Sequence, residues 1–179
     1  MQFSNRRDGR EQAITDLFSA SFSDSEGPEE GALIRALVEK LFKTTDDADM
    51  HVFTASEDGT LTGAILFTRL IFAGEERVAF MLAPVAVATD YQRKGIGQKL
   101  IRHGLEAVAK SGAEIAVTYG DPNYYSRVGF APVSVTDVPP PQELRYPEGW
   151  MAQSLTDAPL APLKGPSTCA PAFDDPVYW

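Results

Sequence analysis

Cysteine and histidine are both scarce in this sequence, and their scarcity excludes two kinds of chemistry. The 179 residues include one cysteine, Cys169, and two histidines that lie far apart in the chain. A single cysteine has no partner for a disulfide within the chain, and the sequence has no cluster of residues at the spacing of metal ligands. We therefore expect no metal site and no cysteine nucleophile.

Long apolar runs and basic residues are also in short supply. No segment approaches the roughly 20 apolar residues of a membrane-spanning helix, and Arg6, Arg7 and Asp8 stand where a signal peptide would have its apolar segment. The 16 lysines and arginines are outnumbered by 25 acidic residues, whereas a nucleic-acid-binding protein usually needs a broad basic face. We expect a cytoplasmic protein, monomeric or homodimeric, with neither a membrane nor a nucleic acid as partner.

What the sequence does contain is an apolar strand followed by a glycine-rich turn and a helix. The unbroken apolar run from Val78 to Ala88 predicts a strand that is buried on both faces. Pro84, inside this run, cannot donate a hydrogen bond to a neighbouring strand, so we expect a bulge that parts the strand from its next neighbour. The turn is Gln92-Arg93-Lys94-Gly95-Ile96-Gly97, and apolar residues at helical spacing follow it: Leu100, Ile101, Leu105 and Val108.

The turn between strand and helix has the features of an anion site. Glycines at 95 and 97 let a ligand approach the backbone closely, and backbone N–H groups point outward at the positive end of the helix. The segment from Tyr91 to Leu105 holds four basic residues and no carboxylate: Arg93, Lys94, Lys99 and Arg102. We expect a phosphate or pyrophosphate here, although a turn of this composition can also serve only to connect strand and helix.

Two familiar phosphate-binding motifs do not fit this turn. A dinucleotide-binding fingerprint needs a third glycine where the sequence has Leu100, and a Walker loop needs a Gly-Lys-Ser/Thr sequence, which is absent. The pattern Gln-x-x-Gly-x-Gly after a bulged strand instead resembles the GNAT superfamily of acyl-CoA N-acyltransferases. Tyr125 also stands four residues before the pair Gly129-Phe130, an arrangement that is common in that superfamily.

The resemblance covers residues 50–155 and implies both a fold and a ligand. The fold would be mixed α/β, with a twisted and splayed sheet flanked by helices, and acetyl-CoA would be the co-substrate without any metal. Tyr125 would hydrogen-bond the coenzyme A sulfur and protonate the departing thiolate, because a phenol with a reference pKa of about 10 keeps its proton at neutral pH. The residues expected to bind acetyl-CoA are Val85, Ala86, Val87, Gln92, Arg93, Lys94, Gly95, Ile96, Gly97, Gln98 and Asn123.

The remaining sequence predicts the elements that surround this core. Apolar periodicity predicts helices at 8–20 and 29–42, separated by a polar break at 23–28. Strands are predicted at 1–4, 50–56, 61–72, 114–119, 130–136 and 150–155, with a hairpin turn at Asp58-Gly59. The strand at 114–119 should lie parallel to the central strand. Asp121 and Pro122 form a helix start, and Gly129 ends the short helix.

We expect one acetyltransferase domain at 1–156 and an irregular tail at 157–179. The tail has five prolines and no periodicity, which is typical of disorder, but it also has apolar anchors such as Phe173 and Trp179. We therefore expect the tail to pack against the domain.

The function implied is transfer of an acetyl group from acetyl-CoA to a primary amine of a small molecule or peptide. The N–H groups of Val85 and Val87 would bind the pantetheine arm and the thioester carbonyl, and the acidic composition favours a cationic amine. Four carboxylates are open as general base, besides a chain of water molecules: Glu26, Glu75, Glu76 and Asp121. Two other functions stay open, namely an inactive acyl-CoA sensor or interaction module, and a mononucleotide-binding protein that uses the same turn.

Overall fold

The structure, a computed structural model, describes residues 1–5, 7 and 9–179. Arg6 lies outside the described residues, as does Asp8, the predicted first residue of the first helix. The helices are α1 (Glu11–Glu26), α2 (Pro28–Thr44), α3 (Ile96–Lys110) and α4 (Pro122–Tyr125). The strands are β1 (Gln2–Ser4), β2 (Met50–Glu57), β3 (Thr60–Phe72), β4 (Ala79–Val87), β5 (Ile115–Tyr119), β6 (Ala131–Pro132), β7 (Trp150–Ser154) and β8 (Ser167–Thr168).

The strands form one mixed sheet. Its hydrogen-bonded order is β1-β2-β3-β4-β5-β7-β6, and β8 pairs with β3 off this path. β4 and β5 are parallel, as predicted, whereas β5–β7, β6–β7, β1–β2 and β3–β8 are antiparallel. The predicted fold class, a mixed α/β sheet flanked by helices, is confirmed. In the part of the chain that the structure describes, no helix is both long and apolar enough to cross a bilayer.

The chain divides into two compact units, the first made of residues 1–67 and 84–104. In this unit α1 and α2 are separated only by Gly27, whose φ is 103°. The predicted polar break at 23–28 is wrong because α1 continues to Glu26. Its last turn accommodates serine, since the Ser25 hydroxyl donates to the backbone oxygen of Ser21 at 3.1 Å, one helical turn earlier.

Two further predictions for the first unit are confirmed. The inward face of α2 is apolar and buried, and it includes Leu37, Val38 and Leu41. Asp58 and Gly59 join β2 to β3 with φ angles of 49° and 81°. Two consecutive positive φ angles are what a two-residue hairpin turn needs to match the twist of the strands that it connects.

β4 is paired with β5 over only part of its length. Residues Ala79–Leu82 pair with Ile115–Thr118, and these four β4 residues are buried. From Ala83 onward, half-buried residues alternate with buried ones, so the prediction of a strand buried on both faces holds only for its first half. The paired stretch ends two residues before Pro84, which agrees with the predicted parting of the strands, while the bulge itself stays a prediction.

The second unit consists of residues 68–83 and 105–179. Here α4 begins as the sequence predicts, because the Asp121 carboxylate accepts the backbone N–H of Asn123 at 2.9 Å and Pro122 is the first helical residue. A further turn follows α4 and ends at Gly129, whose φ of 96° a residue with a side chain rarely adopts.

The strand predicted at 130–136 is wrong in its extent. β6 contains only Ala131 and Pro132. Pro132 has no N–H to donate to a neighbouring strand. Two residues later the Ser134 hydroxyl accepts the backbone N–H of Asp137 at 3.0 Å, and this turn leads the chain out of the sheet.

The C-terminal tail makes specific contacts within the second unit. β8 pairs with the end of β3, and the Trp179 indole N–H donates to the backbone oxygen of Phe173 at 2.8 Å. The Arg77 guanidinium donates to the backbone oxygens of Ala161 and Pro162. The domain boundary at residue 156 stays a prediction.

Candidate active site

The loop between β4 and α3 has an unusual backbone. Arg93 and Gly95 both have left-handed φ angles, of 60° and 76°. Glycine adopts such angles without strain, but for arginine they are uncommon, which means that the surrounding structure holds Arg93 in this conformation. Residues 92–95 are exposed, so the loop presents its backbone and two cationic side chains to solvent.

This loop leads directly into the N-terminus of α3. The helix begins at Ile96, and the N–H of Lys99 donates to the Gly95 oxygen at 3.1 Å. Helix geometry therefore gives the N–H groups of residues 96–98 no acceptor within the helix. Because the first turn contains no acidic residue, the N–H groups, the helix dipole and the loop cations all favour an anion at this point.

Gln92, one of the residues expected to bind acetyl-CoA, turns its side chain toward the protein. Its Nε2 donates to the backbone oxygen of Val87 at 3.0 Å. The Ser21 hydroxyl, from α1, donates to the same oxygen at 3.0 Å, and the Thr89 hydroxyl donates to the Asp24 carboxylate at 2.6 Å. Gln92 thus shapes the loop, together with Ser21 and Asp24. Neither α1 residue was predicted, because 66 and 65 residues separate Ser21 and Asp24 from their partners in the chain.

The structure places the other predicted residues of the first unit on two nearby segments of chain. Val85 and Val87 are half-buried and Ala86 is buried at the end of β4. In the loop, the Lys94 ammonium lies 4.9 Å from the centre of the Tyr91 ring. This cation–π contact, worth about 0.5–1 kcal/mol at an exposed site, keeps the charge of Lys94 close to the turn.

In the second unit, Tyr125 lies on α4 among aromatic rings. Its ring centre is 5.1 Å from that of Tyr124 and 5.9 Å from that of Phe130, in edge-to-face contacts. The absence of a side chain at Gly120 leaves room for this ring, since a Cβ there would lie 2.7 Å from it. Burial raises the pKa of Tyr125 to about 12, so the hydroxyl keeps its proton at neutral pH.

The Thr118 hydroxyl, on β5, influences the pKa of Tyr125. The fully buried Thr118 donates its hydroxyl proton to the backbone oxygen of Leu82 at 2.9 Å. The Thr118 side chain offsets part of the rise in the pKa of Tyr125 that burial causes. Thr118 was not predicted as a site residue. The signal that could have identified it is a polar residue directly after the apolar run from Ile115 to Val117.

Asn123 was expected to bind acetyl-CoA, and the structure places it at the start of α4. Its backbone N–H and its side-chain Nδ2 both donate to the Asp121 carboxylate, at 2.9 and 3.1 Å. The two residues therefore form the cap of the helix. A contact between Asn123 and the ligand stays a prediction.

The other three carboxylates considered as general base have different environments. Glu75 accepts hydrogen bonds from Arg77 at 2.9 and 2.6 Å, and these lower its pKa to about 2. Glu76 is exposed. Burial and the neighbouring Glu30 raise the pKa of Glu26. The pKa of Glu26 is thus shifted in the direction opposite to that of Glu75. Among the described residues, no group of three or more histidine, cysteine or acidic side chains is placed to bind a metal ion.

Sequence comparison relates this chain to known acetyltransferases. The family model described as the acetyltransferase (GNAT) domain matches residues 3–133. The uncharacterized N-acetyltransferase YjhQ of Escherichia coli is 39% identical to this chain over 123 residues. The aligned part covers 65% of this chain and 66% of YjhQ, which is slightly less than two thirds of that relative.

Two solved structures share the whole fold. The GNAT family N-acetyltransferase YhbS of Escherichia coli, in complex with CoA, has a TM-score of 0.82 and 24% identity, covering 97% of this chain and 92% of that one. A GNAT family acetyltransferase of Brucella melitensis, in complex with acetyl-CoA, has a TM-score of 0.71 and 28% identity, covering 97% of both chains. At 24% identity, the likeness to YhbS shows the fold alone. The family model, which spans most of the chain, shows that this protein belongs to the GNAT acetyltransferase family.

Proposed function

We propose that this protein is an N-acetyltransferase that transfers an acetyl group from acetyl-CoA to a primary amine by direct attack. The observation that carries the proposal is the anion site of the first unit, where left-handed Arg93 and Gly95 precede the open N–H groups of α3. A pyrophosphate has the negative charge and the acceptor oxygens that such a site suits. Family membership, and the CoA and acetyl-CoA in the related structures, support acetyl-CoA as the ligand.

In this proposal, backbone groups do most of the binding. The N–H groups of residues 96–98 donate to the pyrophosphate, and the side chains of Arg93 and Lys94 supply positive charge. Gln92 keeps the loop in shape through its bond to Val87. The N–H groups of Val85 and Val87 bind the pantetheine arm and the thioester oxygen, which polarises the carbonyl for attack.

The proposed reaction needs one proton donor. The amine nitrogen attacks the carbonyl carbon, the carbon–sulfur bond breaks, and its electron pair leaves with the sulfur. We assign the protonation of this sulfur to Tyr125. The pKa of Tyr125 is about 12, whereas a cysteine thiol has a reference pKa of about 8.5. Proton transfer to a thiolate is therefore uphill unless the tyrosinate that it leaves behind is stabilised.

We assign removal of the proton from the amine to Glu26. Its pKa is raised by burial and by the neighbouring Glu30, and this direction makes a carboxylate a stronger base. Glu26 is the last residue of α1, the helix whose Ser21 hydroxyl bonds the end of β4 at Val87. Replacement of Glu26 by glutamine should lower kcat/KM and remove the acidic limb of the profile of kcat/KM against pH. An unchanged pH profile would exclude Glu26 as the general base.

The proposed activity is tested by release of free coenzyme A. The purified protein is incubated with acetyl-CoA and a panel of primary amines that includes cationic, neutral and anionic members, and free thiol is measured over time. We expect release that depends on one class of amine. Tight binding of acetyl-CoA without release for any amine would favour the inactive sensor. Thermal stabilisation by ATP but not by coenzyme A would favour a mononucleotide-binding protein.

A further inference from the structure

Val87, the last residue of β4, has a backbone oxygen that accepts two hydrogen bonds from side chains. The Ser21 hydroxyl on α1 and the Gln92 Nε2 in the loop both donate to this oxygen, each at 3.0 Å. A peptide oxygen has two lone pairs. The two donors therefore fill its accepting capacity, and the backbone of Val87 can hydrogen-bond a ligand only through its N–H group.

The peptide that joins Val87 to Ala88 is held on both sides. Its N–H group, that of Ala88, donates to the Thr62 oxygen on β3 at 2.9 Å. In a planar trans peptide the N–H and C=O groups point in opposite directions, so the Val87 oxygen faces away from β3. The N–H and C=O groups of one strand residue share an edge of the strand. The Val87 N–H therefore also faces away from β3.

The bond from Ser21 is the more persistent of the two. Ser21 is only 7% exposed, and a buried hydroxyl that loses its partner finds no water to replace it. Gln92 is exposed, so its carboxamide can exchange the Val87 oxygen for water. One helical turn after Ser21, the Asp24 carboxylate accepts the Thr89 hydroxyl. Helix α1 thus holds the chain at residues 87 and 89 without the help of Gln92.

The order of the groups in acetyl-CoA decides which of them meets Val87. The pantetheine arm links the pyrophosphate to the thioester. The proposed pyrophosphate site at residues 96–98 follows β4 in the chain, and Val87 is closer to that end of the strand than Val85 by about 6–7 Å. Val87 therefore meets the pantetheine arm, whose amide oxygens accept hydrogen bonds, and Val85 meets the thioester.

We propose that Ser21 is a positioning residue for acetyl-CoA. By holding the Val87 oxygen, Ser21 aims the Val87 N–H at an amide oxygen of the pantetheine arm. The inference rests on the proposed binding of acetyl-CoA along β4. The Ser21 hydroxyl has one proton, which is used in the bond to Val87, so Ser21 acts on the ligand through Val87. Its effect falls on binding of the arm and not on the anion site of the loop.

The experiment compares two ligands by calorimetry. The first is acetyl-CoA, and the second is the nucleotide half of coenzyme A, an adenosine diphosphate that carries the ribose phosphate but no pantetheine arm. The variant is Ser21→Ala, since alanine removes the hydroxyl and favours a helix. We expect its dissociation constant for acetyl-CoA to rise about three- to tenfold, as for the loss of one neutral hydrogen bond. For the nucleotide half it should stay within about twofold of the wild-type value.

Ser25→Ala is the matched control. It removes a hydroxyl from the same helix one turn later, where the Ser25 hydroxyl bonds the backbone of α1 itself. We expect both of its dissociation constants to stay within about twofold of the wild-type values. Circular dichroism and thermal unfolding show whether each variant is folded.

Steady-state release of coenzyme A gives a second readout. Ser21→Ala should raise the KM for acetyl-CoA and leave kcat within about twofold, because the arm is bound equally in the ground state and in the transition state. A loss confined to kcat would overturn the inference. Equal losses of affinity for acetyl-CoA and for the nucleotide half would also overturn it, since Ser21 would then act on the anion site.

A double-mutant cycle with Gln92→Met completes the test. Methionine has nearly the length of glutamine but donates no hydrogen bond. Because either donor can hold the shared oxygen when the other is lost, Ser21→Ala and Gln92→Met together should weaken acetyl-CoA binding by more than the product of their separate effects. Separate effects that simply multiply would overturn the inference.

The outcomes separate the inference from the proposed function. Suppose that the wild type binds acetyl-CoA and releases coenzyme A, while Ser21→Ala binds both ligands as the wild type does. That result would overturn the role of Ser21 and leave the proposed function intact. A wild-type protein that does not bind acetyl-CoA would refute the proposed function and the inference with it.

Discussion

Gly120→Ala should displace Tyr125 without replacing any side chain that takes part in the reaction. A Cβ at residue 120 would lie 2.7 Å from the Tyr125 Cε2 atom, and ordinary contacts begin at 3.4 Å. The tyrosine ring must therefore retreat by about 0.7 Å or more to restore an ordinary contact. The φ angle of Gly120 is not positive, so an alanine there meets the ring and not an unfavourable backbone conformation.

The expected loss follows from this displacement. A misplacement near 1 Å in an active site can cost about 100-fold in rate, so we expect kcat to fall between about 10-fold and 100-fold. Gly120 is not one of the residues proposed to bind acetyl-CoA, so the dissociation constant for acetyl-CoA should stay within about twofold. Overpacking costs roughly 1–3 kcal/mol of stability, which thermal unfolding will register as a modest decrease in Tm.

The assay compares steady-state coenzyme A release with acetyl-CoA affinity from calorimetry. Combining Gly120→Ala with Tyr125→Phe is the control, because a displaced phenylalanine has no hydroxyl left to misplace, and kcat should not fall further than in Tyr125→Phe alone. Wild-type kcat in Gly120→Ala would refute the reasoning that links this glycine to catalysis through the tyrosine. A parallel loss of acetyl-CoA binding would show that the substitution disturbs more than the ring.

Three further predictions concern single side chains. Tyr125→Phe should lower kcat by about 100-fold or more, whereas Tyr124→Phe should stay within about twofold; equal and small effects in steady-state assays would contradict the assignment of Tyr125. Gly97→Val places a branched side chain in the first turn of α3 and should weaken coenzyme A binding in calorimetry with nearly unchanged far-UV circular dichroism, so undiminished binding would reduce the loop to a connector. The bond to Arg77 lowers the pKa of Glu75 from 4.5 to about 2. This bond therefore contributes stability above pH 4.5, and the contribution is lost as the pH falls toward 2. Glu75→Gln should remove that part of the acid dependence of urea unfolding, at most about 1 kcal/mol for a pair near the surface, and an identical dependence in both proteins would contradict it.

Local features of the fold could be predicted from sequence because they depend on few residues. The turn at Asp58-Gly59 and the cap at Asp121 are set by residue types within a few positions of each other, and both appear in the structure as predicted. The helix break at 23–28 was wrong because serines favour turns in general, yet Ser25 satisfies its hydroxyl inside the helix. Local composition does not reveal which alternative the surrounding structure selects.

The candidate site likewise has one part that the local sequence predicts and another part that it does not predict. The backbone of the loop at 92–98 could be anticipated from Gly95 and from the helix that follows it. The contacts that hold the loop could not, since Ser21 reaches Val87 only after the chain has folded. The same holds for Thr118, whose bond to Leu82 depends on the parallel register of β5 with β4.

Because the backbone at Arg93 is left-handed, selection for stability and selection for ligand binding favour different residues at this position. A φ of 60° costs a residue with a side chain about 1–2 kcal/mol, while glycine adopts it freely and loses about 0.4–1 kcal/mol through its more flexible unfolded state. Variants selected only for heat resistance should therefore carry glycine at this position and lack the guanidinium. Directed evolution of this scaffold consequently needs a ligand-binding screen alongside the stability screen. Without it, selection will remove the positive charge of Arg93 from the loop.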